Sequence, residues 1–413
     1  MTLPRRLDAP WLREGALPRL IGVLDHDGEE ARIVGGAVRN SLLGEPVGDI
    51  DLATTALPDE VVRRAIAAGF RPVPTGVEHG TVTVVVDGHP FEVTTLREDV
   101  ETFGRHAKVA FGRDWRRDAE RRDFTINALY AGRDGTVYDH VGGLADLAER
   151  RVRFIGDPAK RIAEDYLRIL RFFRFHATYG PGGPPDPAGL HACIVARAGL
   201  ETLSRERVRA EMLKLMVATH VVPTLASMTE AGLLVTVLGG VPLLASMSNM
   251  MKLETALGLA PDGVRRLAAL GVNDAEDAER LRQRLRLANA EYERLASMAD
   301  AWWKITAATE AHTARVLLYR LGPQRYLDRV LLAWSRAFNE SVADERWRSL
   351  AVLPQRWTAP AFPLKAADFL ARGVERGPAL GAAMRAAEAA WVAADFPMDA
   401  AILKAIGDRA IRS

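Results

Sequence analysis

Residues 34 to 55 read VGGAVRNSLLGEPVGDIDLATT, with Asp49 and Asp51 separated by one isoleucine. Two carboxylates this close repel, and each raises the other's pKa. A cation between them relieves the repulsion. If the segment is a strand, residues i and i+2 share a face, so both carboxylates can bind hard cations together. Magnesium takes oxygen ligands and is often held by one or two carboxylates plus substrate phosphates. Gly35 and Gly36 would let the backbone approach a triphosphate with its amides as donors. The plain alternative is a tight turn followed by an exposed acidic strand. Glu92, in FEVTT, is either a third carboxylate from a neighbouring strand or an exposed strand residue.

Two further groups of residues suit a nucleotide. In RRDFTINAL, Arg121 and Arg122 suit phosphate oxygens, and Asp123 and Asn127 suit ribose hydroxyls. If that segment is helical, Asp123 and Asn127 share a face, or Asp123 is simply the helix cap. In EDYLRILRFFRF, Asp165 and Arg168 lie three apart on one expected helical face. The pair is either an i, i+3 ion pair worth a few tenths of a kcal/mol or a base reader. Cytosine and adenine both present an amino donor beside a ring-nitrogen acceptor. An Asp accepting from the first and an Arg donating to the second would admit C and A and reject U and G.

The elements that must position these groups follow from periodicity. RIV leads into Gly35-Gly36, AVRNSLL is a helix stopped at Gly44, and GDIDLATT is a strand. LPDEVVRRAIAAGF is an amphipathic helix closed by Gly69. TVTVVV and FEVTTL form a hairpin turning at Asp87-Gly88. A mixed sheet with covering helices, an α+β domain over residues 1–145, is therefore expected. Helical periodicity then takes over, broken by PGGPPDP at 181–187 and by a linker-like stretch at 352–365.

The chain has 413 residues, 48% hydrophobic, with net charge +2, long enough for several domains. No apolar run approaches the roughly 20 residues that span a bilayer, and the first residues do not read as a secretory signal. The one cysteine, Cys193, excludes a disulfide framework or a cysteine metal cluster. A cytoplasmic location is expected. Arginines crowd 97–122 (with Arg105 and Lys108) and 150–174, as suits a phosphate-gripping surface. Solvated helical faces with interspersed acids are the alternative.

Together these stretches resemble the class II tRNA nucleotidyltransferase and bacterial poly(A) polymerase family, part of the polymerase-beta-like superfamily. VGGAVRNSLLGEPVGDIDLATT is similar to its motif A, RRDFTINAL to motif B, YDHVGG to motif C and EDYLRILRFFRF to motif D. LSRERVRAEMLKLM, with Arg207 and Glu211, resembles a further helical motif. The resemblance implies a nucleotidyltransferase head at 1–145, a helical neck at 146–240, a body at 241–351 and a tail at 352–413. It implies that Asp49 and Asp51 hold catalytic Mg2+ ions, one activating the RNA 3′-hydroxyl and the other steadying pyrophosphate. Gly35, Gly36 and Arg39 would contact the triphosphate, and Arg121, Arg122, Asp123 and Asn127 phosphates and ribose. Asp165 and Arg168 would read the base, supported by Glu164, Arg171 and Arg174. One position departs from the pattern: Asn40 stands where the family commonly has Asp.

Within that family, the full-length interval REDVETFGRHAKVAFGRDWRRDAE argues against CC-only addition, and the mild tail against poly(A) synthesis. The expected function is CCA addition to the tRNA acceptor end from CTP and ATP, without membrane or protein partners. A-only addition, poly(A) polymerisation and a catalytically idle RNA-binding scaffold are the alternatives.

Overall fold

The computed structural model describes residues 3–76, 80–103, 106–337 and 341–412. The chain divides into two compact units, Met1–Leu244 with Arg280–Leu287, and Ala245–Glu279 with Ala288–Ser413. It is α+β, and among the described residues no helix is long and apolar enough to cross a membrane.

The first unit is built on a mixed seven-stranded sheet in the order β3-β4-β5-β2-β1-β8-β9. Its strands are β1 (Ala31–Val34), β2 (Asp51–Thr54), β3 (Arg71–Gly76), β4 (Thr81–Val86), β5 (His89–Thr95), β8 (Leu129–Ala131) and β9 (Val137–Asp139). The β4–β5 hairpin turns at Asp87 and Gly88, both with positive φ, as a two-residue primed turn requires. Val82, Val84 and Val86 of β4 are buried while the intervening residues are half-buried, so one face of the pleat meets the core. Among the described residues only β2 and β5 pair in parallel, and their register sets Asp51 beside Glu92. On the other side β2 runs antiparallel to β1, with Asp51 opposite Val34.

The structure departs from the expected elements in three places. First, the ladder begins at Asp51, so Asp49 lies in the coil before the strand. The β1 register explains this: Val34 is its last residue, and Gly35 with φ 74 turns the backbone away. Second, Arg97–Phe103 and His106–Phe111 form a two-stranded ladder, β6–β7, within the interval REDVETFGRHAKVAFGRDWRRDAE, to which no element is assigned from sequence. Arg105, of the first basic cluster, lies outside the described residues. Third, the RRDFTINAL segment is a 3-10 turn at Thr125–Asn127 running straight into β8, with no α-helix.

The helical part of this unit packs onto the sheet through aromatics. Phe124 meets Phe154, Phe172 and Phe175 at ring-centroid distances of 4.8, 6.3 and 5.3 Å. This seats the Leu167–Tyr179 helix against the turn that carries Asp123. Motif C fixes the same turn from behind. Asp139 accepts backbone N–H bonds from Val141, Gly142, Gly143 and Leu144 at 2.9 to 3.2 Å. The buried Asp146 receives the Thr125 hydroxyl at 2.6 Å. Arg205 donates to the Gln283 carbonyl at 2.5 Å and Arg286 pairs with Glu206 at 2.7 Å, tying residues 280–287 to the Arg205–Met216 helix.

The second unit is helical. Its Ala311–Arg336 helix kinks at Gly322 (φ 73) before Pro323, where the missing N–H breaks the ladder. A buried ionic cluster holds its helices together. Arg265 pairs with Glu254 at 3.0 Å and Asp328 at 2.9 Å, Arg266 with Glu254 at 2.7 Å, and Arg294 with Asp328 at 2.8 Å and Asp262 at 3.0 Å. The C-terminal helices Pro378–Ala393 and Ala400–Ala410 close over a second core around the buried Phe369 and Trp391. Arginine cannot shed its charge, so Asp328→Ala leaves the buried Arg265 with Glu254 alone and the half-buried Arg294 with Asp262 alone. This should cost about 3 kcal/mol, read as a lower urea midpoint for the variant.

Candidate active site

Fifteen residues from four segments enclose a cavity of about 540 Å³: Gly35, Gly36 and Arg39 from motif A, Asp51 from β2, Arg121, Arg122, Asp123 and Asn127 from motif B, and Asp165, Leu167, Arg168, Arg171, Arg174, Phe175 and Arg207 from the helical region. Seven arginines and three aspartates line it. That excess of positive charge in a half-open cavity suits a polyphosphate.

Motif A supplies the floor. Gly35 has φ 74 and ψ −119, a conformation open essentially to glycine alone, and it launches the Gly36–Leu43 helix. No side chain caps that helix, so the first-turn amides keep their donors free for an anion. Arg39 is 6% exposed. Its guanidinium donates to Asn127 Oδ1, to the Tyr179 hydroxyl at 2.6 Å and to Asn40 Oδ1 at 3.1 and 3.2 Å. It also lies 4.0 Å from the Tyr179 ring centroid. Arg39 is thus a wall residue with several partners of its own.

The acidic edge lies next to it. Asp51 and Glu92 are side by side on parallel strands, both exposed. Partial desolvation of the Asp51 carboxyl by the surrounding protein raises its pKa above the usual value. Glu92 and Asp49 push the same way, against Arg122. Among the described residues no three His, Cys, Asp or Glu side chains form a ready-made metal cage. Paired carboxylates completed by substrate phosphates are a sufficient magnesium site. The hard oxygens of Asp49, Asp51 and Glu92, in mutual repulsion, fit a divalent cation.

Motif B is organised by two acids, the buried Asp118 and the largely buried Asp123. Asp118 is 1% exposed and binds Arg121 at 2.7 Å, Arg122 at 3.1 Å and the Tyr130 hydroxyl at 2.7 Å. Asp123 accepts from the Phe124 N–H at 2.8 Å, from Asn127 Nδ2 at 3.0 Å and from Arg171 at 2.6 and 2.8 Å. Burial alone would raise its pKa, but Arg171 and these hydrogen bonds hold it below the usual range. Asp123 and Asn127 therefore meet directly, and Asn127 passes the connection on to Arg39.

The EDYLRILRFFRF segment is not one helix. The chain breaks at Asp165 (φ −156, ψ 108) between the Pro158–Glu164 and Leu167–Tyr179 helices. The Asp165 carboxylate accepts the Leu167 N–H at 3.1 Å and is gripped at both oxygens by Arg207 at 3.2 and 2.6 Å. Of the two readings of Asp165 and Arg168, the i, i+3 ion pair does not form: Arg168 Nη1 donates to Glu164 and to the Arg161 carbonyl at 2.7 Å. Its Nε and Nη2 carry no bond among the described residues. Arg174 meets Glu211 at 2.5 Å. Three supports were not assigned from sequence. Arg161 donates to the Arg121 and Arg122 carbonyls, Arg207 orients Asp165, and Asp118 clamps the paired arginines. Only Asp118 carried a local signal, three and four residues before its partners on a helical turn.

The Asp123 charge stabilises the fold above the ordinary unfolded pKa of about 3.9. That contribution is lost as pH falls through the lower folded-state value. In Arg171→Met the carboxyl stays buried without its cation, and its pKa rises. Acid unfolding, followed by far-UV circular dichroism, should then begin at a higher pH than in the wild type.

Residues 31–153 match the family described as "Poly A polymerase head domain", and residues 186–247 match "Probable RNA and SrmB- binding site of polymerase A". The chain is 35% identical over 376 residues to CCA tRNA nucleotidyltransferase 1, mitochondrial, of Danio rerio, covering 89% of this chain and 85% of that one. It is 34% identical over 380 residues to the Homo sapiens protein of the same name, covering 90% and 85%. The crystal structure of the Bacillus stearothermophilus CCA-adding enzyme in complex with CTP superposes with a TM-score of 0.76 at 29% identity, over 97% of this chain and 98% of that one. The shared head, the order of the motifs and identity spread along nearly the whole length make this chain a member of the CCA tRNA nucleotidyltransferase family.

Proposed function

We propose that this chain adds C, C and A to the 3′ end of tRNA from CTP and ATP, releasing pyrophosphate. The observation that carries this reading is one shared cavity, onto which both Asp51 and the Asp165–Arg168 segment open. The reacting phosphates and the base of a single nucleotide then lie at its two ends. The volume is in the range of small-ligand sites.

Asp49 and Asp51, with Glu92 beside them, would hold Mg2+. The bound metal would supply charge neutralisation at the phosphates and activation of the attacking hydroxyl. The chain's own groups do the rest. The first-turn amides at Gly35 and Gly36 and the Arg121–Arg122 pair face the triphosphate, with Arg39, Asp123 and Asn127 forming the wall behind the ribose. Arg207 fixes the Asp165 carboxylate so that it accepts from the amino group of C or A. The free Nε and Nη2 of Arg168 suit the neighbouring ring nitrogen. Arg171 and Arg174 brace this end through Asp123 and Glu211. The helical region would hold the acceptor arm. The lone cysteine suits a reducing compartment, and we place the reaction in the cytoplasm.

The match to a poly(A) polymerase head favours one rival, addition of A alone or of A tails. Purified protein, Mg2+ and tRNA lacking its CCA, supplied with labelled CTP, ATP or both, separates the two. Two C and one A, and no more, are expected. Addition of A only, or of long A tails, overturns the assignment. Asp49→Ala and Asp51→Ala should each lower kcat on the order of 10³-fold, a loss of about 4 kcal/mol, with tRNA affinity within about twofold. Asp165→Ala should admit UTP and GTP, losing about 1–3 kcal/mol of discrimination. Affinity for tRNA should fall steeply with salt, because phosphate contacts release counterions.

A further inference from the structure

Asn40 uses both ends of its amide, and the two ends do different things. Its Oδ1 accepts from Arg39 Nε and Nη2 at 3.2 and 3.1 Å and from the Tyr179 hydroxyl at 3.1 Å. Its Nδ2 donates to the Pro46 carbonyl at 2.8 Å. The Asn40 backbone carbonyl also accepts the Glu45 N–H at 2.9 Å. Among the described residues no other side chain bonds to the backbone of residues 45–48. Residues 45–50 belong to no helix or strand, and the ladder resumes only at Asp51. Asp49 is therefore carried by a short bridge, fastened at Pro46 by one side-chain amide and at Asp51 by the sheet.

We propose that Asn40 is a positioning residue for the acidic pair: its Nδ2–Pro46 bond latches the loop before β2 and so sets Asp49 beside Asp51. The argument depends on Asn being an amide. A carboxylate of the same shape would keep, and with Arg39 strengthen, the Oδ1 contacts. It has no proton to give Pro46, and two oxygens would then face each other across the latch. An Asp at this position would tighten one side of the residue and release the other. The proposal rests on the reading of Asp49 and Asp51 as the carboxylates that hold the metal.

The test is hydrogen–deuterium exchange of the peptide spanning residues 44–51 in metal-free protein, read beside steady-state kinetics for Asn40→Asp, Asn40→Ala and Tyr179→Phe. Both Asn40 variants should exchange that peptide about tenfold faster, the scale of one lost hydrogen bond. Peptides elsewhere in the first unit should match the wild type. Asn40→Asp should lower kcat by a similar factor, leave KM for CTP and ATP within about twofold, and raise the Mg2+ concentration for half-maximal rate several-fold. Tyr179→Phe removes the hydroxyl from Asn40 Oδ1 and from Arg39 but spares the Nδ2–Pro46 bond, and it should leave the loop at the wild-type rate. The proposal is overturned if either Asn40 variant exchanges like the wild type, or if Tyr179→Phe loosens the loop equally. Exchange is read without substrate, so a failed latch and a failed assignment of the reaction give different results.

Discussion

The Asp123 carboxylate is the point through which the two halves of the site are fastened. It belongs to the turn leading into β8, yet its strongest partner, Arg171, belongs to the Leu167–Tyr179 helix. A partly buried ion pair is costly unless its remaining valences are filled. Here the Phe124 amide and Asn127 fill them. Asn127 carries the constraint to Arg39, which reaches Tyr179 at the far end of the same helix. The sheet and the helix are therefore joined at two places, with the aromatic block of Phe124, Phe154, Phe172 and Phe175 filling the space between.

The electrostatics of the cavity follow from that arrangement. Seven arginines around one cavity would repel each other if left unsupported. Most are held from outside the cavity by acids that do not line it: Asp118 for Arg121 and Arg122, Glu164 for Arg168, Glu211 for Arg174. Each of these four guanidinium groups is oriented by a partner that does not line the cavity, so its direction is set before any ligand arrives. This is pre-organisation, and it lowers the ordering entropy of binding a flexible polyphosphate.

The sequence exposed the repeating parts of this fold better than its joints. The β4–β5 hairpin was legible because valine alternation and Asp87-Gly88 both encode it locally. The helix closed by Gly44 was equally legible. Asp49 was misplaced onto the strand because alternation of Asp49, Ile50, Asp51 and Leu52 mimics a ladder. The end of β1 at Val34, rather than the local pattern, decides where pairing starts. The break at Asp165 was hidden because EDYLRILRFF has helical periodicity throughout. What breaks it is Arg207, 42 residues away in sequence. Residues brought together by tertiary contacts leave no mark on local periodicity. Candidate site residues could be named, but the partners that orient them could not.

The parallel register of β2 and β5 has a consequence for how the molecule comes into being. Asp51 and Glu92 become neighbours only after the helix and two strands between them have folded back. β1 finds β8 across a still longer stretch, Ile33 against Ala131. Such non-local pairings are slow to form, because loop-closure entropy is spent before contacts repay it. The acidic edge therefore takes shape late. A nascent chain that ends before Arg171 lacks the cation that holds Asp123, so an elongating polypeptide cannot display a finished nucleotide cavity until its helical region has left the ribosome.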